Sequence, residues 1–554
     1  MRVALVAVAA CGSSHTIAPA KDAPLDLPAD VAFVDSPLDA FVPIAQPRLI
    51  APLSSTMTGL SPKLRWTLDT GSGIPSVELC TDRACTNAIS TAVTYGAGNV
   101  SAVPTTPLPR GPVFWRVRVT LGTQSVTTPT WELFAGTATA SGTVFDVNGD
   151  GYGDFLVGAE DANSNTGAAH VFLGSASPSA TRWNGSGATD RIDLVAPETG
   201  TAYFGFSVAP LGDVDGDGYS DFAIGAYAAS SEVGAAHVYY GGTTDWNGTS
   251  PAARFDLAGI DGAVGDYGVV APAGDVNGDG YADFIVGAFG GGGNAHLYLG
   301  SPTRGSFTRL DLTNPDGAGA QFGISACALG DIDADGHDDF LIGAFNASTN
   351  TGKVHIYVGS SAPDATAWNA GTGRTDVSSP DGNGGEFGNQ CGRLDIDGDG
   401  HPDYVVSAFR STTNAANVFR GSGARIDVPV PAGSEFTAAA AGDVDGDGFG
   451  DFLVGAHIGD HAYLYFGGAS PASQQQALAN PDATGANFGY AVASAGDVDG
   501  DGLADFLVGA YSASSGAGAV HLYLGSATRA FTRIDLTDPD GTGAYFGAAV
   551  AGAR

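Results

Sequence analysis

The chain has 554 residues with a formal net charge of −36, and its 83 Gly and 29 Pro exceed a fifth of the total. Its 23 Lys+Arg form no cluster able to neutralise phosphates, so the charge balance opposes nucleic-acid binding. The glycines recur in phase with a repeat, which reads as turn punctuation in an all-β protein rather than as disorder.

Residues 1–11 run Met1-Arg2, an apolar stretch Val3–Ala10, then Cys11. Val8-Ala9-Ala10-Cys11 resembles the lipobox of a bacterial lipoprotein signal. That resemblance implies lipidation of Cys11, export to an outer membrane or cell surface, and membrane contact through the lipid anchor alone. A shortened secretory signal with an incidental cysteine, and hence a secreted protein, is the alternative. The apolar stretch is too short to span a bilayer. Residues 12–45, rich in Pro, Ala and Asp without periodicity, are predicted to form a disordered tether.

From 46 to 136 the segments LRWTLD, SVELCTD, VFWRVRVT and PTWELFAG alternate apolar and polar residues between turns. They predict a β-sandwich that resembles a fibronectin type III module in size and pattern, with Trp66 and Trp115 in its core. A spacer role is expected rather than ligand binding. Cys80 and Cys85 are close enough to close a small loop. Cys327 and Cys391 each lie four residues before an acidic loop in neighbouring repeats. Both pairs are candidate disulfides, a buried free thiol being the alternative, and four cysteines besides Cys11 fit an oxidising compartment.

From 137 to 554 one nine-residue loop, Asp-x-Asp/Asn-x-Asp-Gly-x-x-Asp, recurs seven times at spacings of 48 to 67 residues. Loops 1 to 7 begin at Asp146, Asp213, Asp275, Asp331, Asp395, Asp443 and Asp497. A Phe-Gly strand precedes most copies, and a run such as DFLVGA follows each. A third strand (AAHVFLG, KVHIYVG) and a fourth (RIDL, RLDL) complete the unit. Four short strands per unit, repeated seven times, predict a seven-bladed β-propeller.

The combined pattern FG…GDVDGDGxxDFxVGA resembles the FG-GAP repeat of integrin α-chain propellers, with Gly-Ala-Pro replaced by Gly-Ala and then Glu, Tyr, Phe or His. The resemblance implies a Ca2+ in the hairpin between the first and second strands. The chain ends on a Phe-Gly strand, Tyr545–Gly552, with no loop after it, whereas repeat 1 lacks Phe-Gly. Either this strand completes the unit of residues 146–194, or it begins a truncated eighth repeat.

Dense oxygen ligands without Cys or His side chains suit a hard divalent cation, Ca2+ above all. Positions 1, 3, 5 and 9 offer side chains and position 7 its backbone carbonyl, which allows up to seven Ca2+. The predicted ligand sets are Asp146, Asn148, Asp150, Tyr152 and Asp154; Asp213, Asp215, Asp217, Tyr219 and Asp221; Asp275, Asn277, Asp279, Tyr281 and Asp283; Asp331, Asp333, Asp335, His337 and Asp339. Loops 5 to 7 offer Asp395, Asp397, Asp399, His401 and Asp403; Asp443, Asp445, Asp447, Phe449 and Asp451; Asp497, Asp499, Asp501, Leu503 and Asp505. Seven such cations would bring the net charge to about −22. The Gly at position 6 permits the sharp turn. Position 12 is Val or Ile in every copy, which excludes the EF-hand's bidentate Glu.

His170, His237, His296, His355 and His521 share one strand position, and such recurrence predicts packing rather than catalysis. No nucleophile elbow, His-Glu-x-x-His or Walker sequence carries a reaction. The expected function is therefore non-catalytic: a monomeric, calcium-stabilised, adhesion-type scaffold at the cell surface recognising a protein or glycan. A calcium-dependent polysaccharide lyase or hydrolase, or a purely structural envelope protein, is the alternative.

Overall fold

The computed structural model describes residues 47–553 except 52–55, 59, 69–72, 110, 136–143, 244, 249, 251, 263, 383, 400, 422, 430–431 and 469–473. The signal at 1–11, its Cys11, the tether at 12–45 and Gly400 lie outside the described residues. All described residues belong to one compact unit, Ile44–Arg554.

The N-terminal module has two sheets. One orders Leu49–Ala51, Leu64–Trp66, Ser101–Pro104 and Val93–Tyr95; the other orders Thr56–Thr58, Trp131–Ala135, Gly111–Leu121 and Ile74–Cys80, with Gln124–Thr127 also paired to Gly111–Leu121. Alternate residues point inward from both sheets. Trp66, Trp115 and Trp131 are each at most 2% exposed and share a core with Leu64, Val117 and Leu133. Cys80 and Cys85 are disulfide-bonded, with Cα atoms 5.1 Å apart.

The repeats form seven four-stranded antiparallel sheets. In repeat 2 the strands are Phe204–Gly212, Asp221–Ala226, Ala235–Tyr239 and Arg254–Ala258, paired in that order. The first sheet borrows its missing strand: Ala549–Ala551 pairs antiparallel with Phe155–Ala159, Val550 opposite Val157. The C-terminal strand thus completes the unit of residues 146–194.

The expected β-propeller is corrected by the strand pairing. The sheets are separate and open, and no sheet closes on itself. The fourth strand of each repeat ends in a loop, so ladder hydrogen bonding stops there. Consecutive sheets meet through side chains and through isolated parallel bridges, such as Gly167 with Phe204 and Gly234 with Tyr267. All-β architecture stands; a closed sheet does not.

Packing between sheets explains why the second strand reads as an uninterrupted apolar run. Phe222, Ile224 and Ala226 pack on one side with Leu156 and Val171, while Ala223 packs on the other with Val270 and Phe284. A strand buried on both faces needs no polar alternation. Within each sheet the second-strand aromatic stacks on its third-strand neighbour. Seven such pairs, from Phe155–Phe172 to Phe506–Tyr523, have centroids 4.8 to 5.1 Å apart. Each contributes about 0.5–1.5 kcal/mol beyond burial.

The two glycine motifs serve a single contact. The Phe-Gly glycine takes a left-handed φ at Gly205, Gly323, Gly388, Gly489 and Gly547, which turns its carbonyl toward the Gly-Ala glycine of the preceding sheet. A Cβ at Gly158, Gly287, Gly343, Gly455 or Gly509 would overlap that oxygen. Repeat 6 replaces the Phe-Gly glycine with Thr437, which pairs in regular register with Gly455. Repeat 5 correspondingly holds Ser407 where Gly is otherwise required. Both departures fall on the same junction, because a strand without the bulge leaves room for a side chain.

Candidate metal centres

The nine-residue loops connect first to second strands. Position 1 clasps the turn: in loop 2, Asp213 Oδ1 accepts from Gly216 N–H at 2.6 Å and Oδ2 from Gly218 N–H at 2.7 Å. Position 5 carboxylates accept from the position 7 N–H in all seven loops, at 2.8 to 3.1 Å. These Asx-type turns hold the carboxylates on one side of the hairpin.

Position 9 opens the second strand. Its two oxygens accept from the position 2 N–H and from a glycine N–H just after the third strand. In loop 1 these are Val147 and Gly174 on Asp154, at 2.9 and 2.8 Å. The same pair recurs in loop 7 as Val498 and Gly525 on Asp505, both at 2.7 Å. Position 9 is thus a structural tie as well as a candidate ligand. The glycine after each third strand was its signal in the sequence, and pattern reading passed over it.

Among the described residues, five loops have three carboxylates with oxygens within 4.8 Å of one another: Asp213, Asp215 and Asp221; Asp331, Asp333 and Asp339; Asp395, Asp397 and Asp399; Asp443, Asp445 and Asp451; Asp497, Asp499 and Asp501. Loops 1 and 3 carry Asn148 and Asn277 at position 3, so their oxygen sets are not wholly acidic. The donors are all hard oxygens, which fits a divalent cation. Electrostatics agree. Burial, then the charges of Asp217 and Asp215, raise the Asp213 carboxyl well above its usual range. Burial and the charge of Asp338 push Asp275 to about 7, and burial alone leads the rise of Asp497 to about 7. A bound cation would relieve this repulsion.

The position 7 side chains do something the sequence did not disclose. In six loops the side chain lies over the position 4 glycine of the preceding loop: Tyr219 over Gly149, Tyr281 over Gly216, His337 over Gly278, Phe449 over Gly398, Leu503 over Gly446 and Tyr152 over Gly500. A Cβ on any of these glycines would sit 2.6 to 2.9 Å from that side chain. Arginines add outer contacts. Arg304 pairs with Asp215 and, at 2.7 Å, with Asp217; Arg529 lies 2.5 Å from Asp445; Arg420 lies 3.2 Å from Asp397.

The N-terminal module reaches the first three loops. Arg83, inside the Cys80–Cys85 loop, donates to Gly218 O at 2.6 Å and Gly149 O at 3.3 Å, and stacks 4.2 Å over Tyr219. Arg48 lies 5.1 Å over Tyr281.

The recurrent histidines are buried structural clamps. His170 contacts Asp193 through Nδ1 and Asp540 through Nε2, each at 2.8 Å. His237 repeats this with Asp256 and Glu198, His296 with Asp311 and Asp261, His355 with Asp376 and Asp316, and His521 with Asp535 and Asp482. The second acid stands in the connection leading to that sheet's first strand. For His170 it is Asp540, just ahead of the C-terminal strand, which supports the pairing of that strand with sheet 1.

First strands from several sheets line a cavity of about 360 Å³, with Glu160, Phe206, Phe345, Phe409, Gln390 and Tyr490 among its walls. Around it run half-buried rings in contact, Phe206–Tyr227 at 4.6 Å and Tyr490–Tyr511 at 4.4 Å, with the buried His457 5.0 Å from Tyr490. Burial, then the charge of Asp161, pushes Glu160 to about 7.

Comparison with known proteins bears on the repeats. The FG-GAP repeat model matches residues 137–172, 204–239 and 488–523, and the FG-GAP-like repeat model matches 275–342 and 395–454. All seven loops fall inside these segments. These segments match the FG-GAP repeat family. The chain is also distantly homologous to integrin α-chains. Integrin alpha-5 of Xenopus laevis is 31% identical over 40% of this chain, and integrin alpha-IIb of Mus musculus 35% identical over 28%. The matched stretches span 21% and 16% of those relatives' own lengths. Among solved structures, dihydro-heme d1 dehydrogenase NirN in complex with DHE aligns over 73% of this chain and 75% of its own, at 11% identity and a TM-score of 0.36. No helix among the described residues is long and apolar enough to cross a membrane.

Proposed function

We propose that this chain is an exported, calcium-stabilised scaffold of adhesion type that binds a protein or glycan partner without transforming it. Distant integrin-α homology and the aspartate clusters support the general reading. Calcium as the ion, with one per loop, is the finer proposal. Near-identical loops throughout suit a scaffold role, since a reaction calls for one distinctive centre.

The observation that carries the binding reading is the aromatic-rimmed cavity. Half-buried rings offer flat apolar area at low entropic cost, as binding surfaces do. Among the described lining residues Glu160 is the single carboxylate, whereas acid-catalysed glycoside hydrolysis uses two. The lipid anchor on Cys11 and a monomeric state complete the proposal.

The test is a binding screen of the full chain against glycans and envelope proteins in calcium chloride, with a chelator control. A partner lost on Tyr227→Ala or Tyr490→Ala supports the rim. Release of reducing ends from a polysaccharide, abolished by Glu160→Gln, would replace the binding reading with an enzymatic one.

A further inference from the structure

Adjacent cation loops are joined by backbone hydrogen bonds as well as by side chains. The position 8 N–H of one loop donates to the position 1 carbonyl of the preceding loop. Gly153 donates to Asp497 at 2.7 Å, Ser220 to Asp146 at 3.2 Å, Ala282 to Asp213 at 2.9 Å and Asp338 to Asp275 at 3.0 Å. Gly450 donates to Asp395 at 2.6 Å and Ala504 to Asp443 at 3.0 Å. In each case the acceptor residue is itself a candidate ligand, so ordering one loop positions the next.

The junction of loops 4 and 5 departs from this pattern three times. Position 8 of loop 5 is Pro402, which has no N–H to give Asp331. Position 4 of loop 4 is Ala334, exposed and at φ 63°, where every other loop has Gly. His401, the position 7 residue that would lie above it, is exposed as well. At this same junction Cys327, in Ser325–Gly330, is bonded to Cys391, in Phe387–Leu394, with Cα atoms 6.1 Å apart. The two cysteines belong to the first strands of sheets 4 and 5.

We propose that the Cys327–Cys391 disulfide is the covalent substitute for the loop-to-loop hydrogen bond that Pro402 cannot make. It ties the first strands of sheets 4 and 5, which lead into these two loops, and the tie exists only while oxidised. The inference rests on the reading of the loops as cation sites. Reduction with dithiothreitol delivers two electrons and two protons, giving two thiols, and the reagent leaves as its cyclic disulfide. Reduction thus removes the covalent tie at the one junction where position 8 has no N–H to donate.

The experiment follows thermal unfolding of the full chain across a calcium chloride titration, with and without dithiothreitol. Wild type, Pro402→Ala, Cys327→Ser/Cys391→Ser and the combined variant are compared. In wild type, reduction raises the calcium concentration for half-maximal stabilisation about fivefold or more. Pro402→Ala restores an N–H beside Asp331 and removes about half or more of that shift. The same substitution stabilises the cysteine variant more than it stabilises the oxidised wild type. Response to reductant remaining in the cysteine variant measures the Cys80–Cys85 bond. Equal effects of Pro402→Ala in oxidised and reduced protein overturn the substitution of one link for the other. A chain that ignores calcium in every variant instead overturns the cation reading beneath it.

Discussion

Residues of one type hold opposite charge habits here, according to what surrounds them. The fourth-strand Asp193 and Asp256 are held well below the usual carboxylate range, because hydrogen bonds from His170 and Arg191, or His237 and Arg254, outweigh burial. Loop aspartates such as Asp213 and Asp275 rise instead, because burial first and neighbouring carboxylates second disfavour their charge. For His170 and His237 burial opposes the charge, but the hydrogen bonds and charges of two acids prevail and the pKa rises above 6.5. A raised folded value stabilises fully below the unfolded value and is lost as pH climbs through the folded one. The unfolding midpoint of wild type minus that of His170→Gln/His237→Gln is therefore expected to be largest near pH 6 and to shrink toward pH 9. A difference flat across that range would assign the histidines to packing alone. That these histidines repeat was visible in the sequence. Their partners were not, because Asp540 lies 370 positions from His170.

Elements are fitted by the close approach of one sheet to the next. Gly287→Ala would drive a Cβ into the Gly323 carbonyl and is expected to cost about 1–3 kcal/mol by chemical denaturation, the usual penalty of overpacking. A Gly287→Ala variant as stable as wild type would refute the pairing of Phe-Gly with Gly-Ala. The docking of the N-terminal module makes a local prediction too. Arg83→Ala is expected to speed amide exchange in loops 1 and 2, whose Gly149 and Gly218 carbonyls it caps, while leaving loop 6 unchanged. Strand positions were legible from four short runs per repeat. The reason for the motif glycines was not, since it is a contact between repeats.

At the scale of the molecule, a net charge of −36 is concentrated in hairpins where carboxylates converge. A divalent cation held by the folded hairpins and not by the unfolded chain would add about 2.7 kcal/mol per site at a hundredfold excess over Kd. A chelator is expected to lower the thermal midpoint and admit protease at the loops. Unchanged stability and protease resistance after chelation would remove the cation from this account.

Local order was written in the chain itself: the acidic loops and the doubly buried second strands follow from neighbours within a few residues. Residue type and period suffice there, because turn geometry and burial on two faces act over short stretches. Three things were settled by contacts distant in sequence. Sheets stay separate, since ladder bonding ends at each fourth strand; Ala549–Ala551 completes the first sheet across nearly 400 residues; and the Cys327–Cys391 bond falls where Pro402 breaks the series of loops. Such pairings depend on which surfaces meet, and a linear pattern holds no record of that.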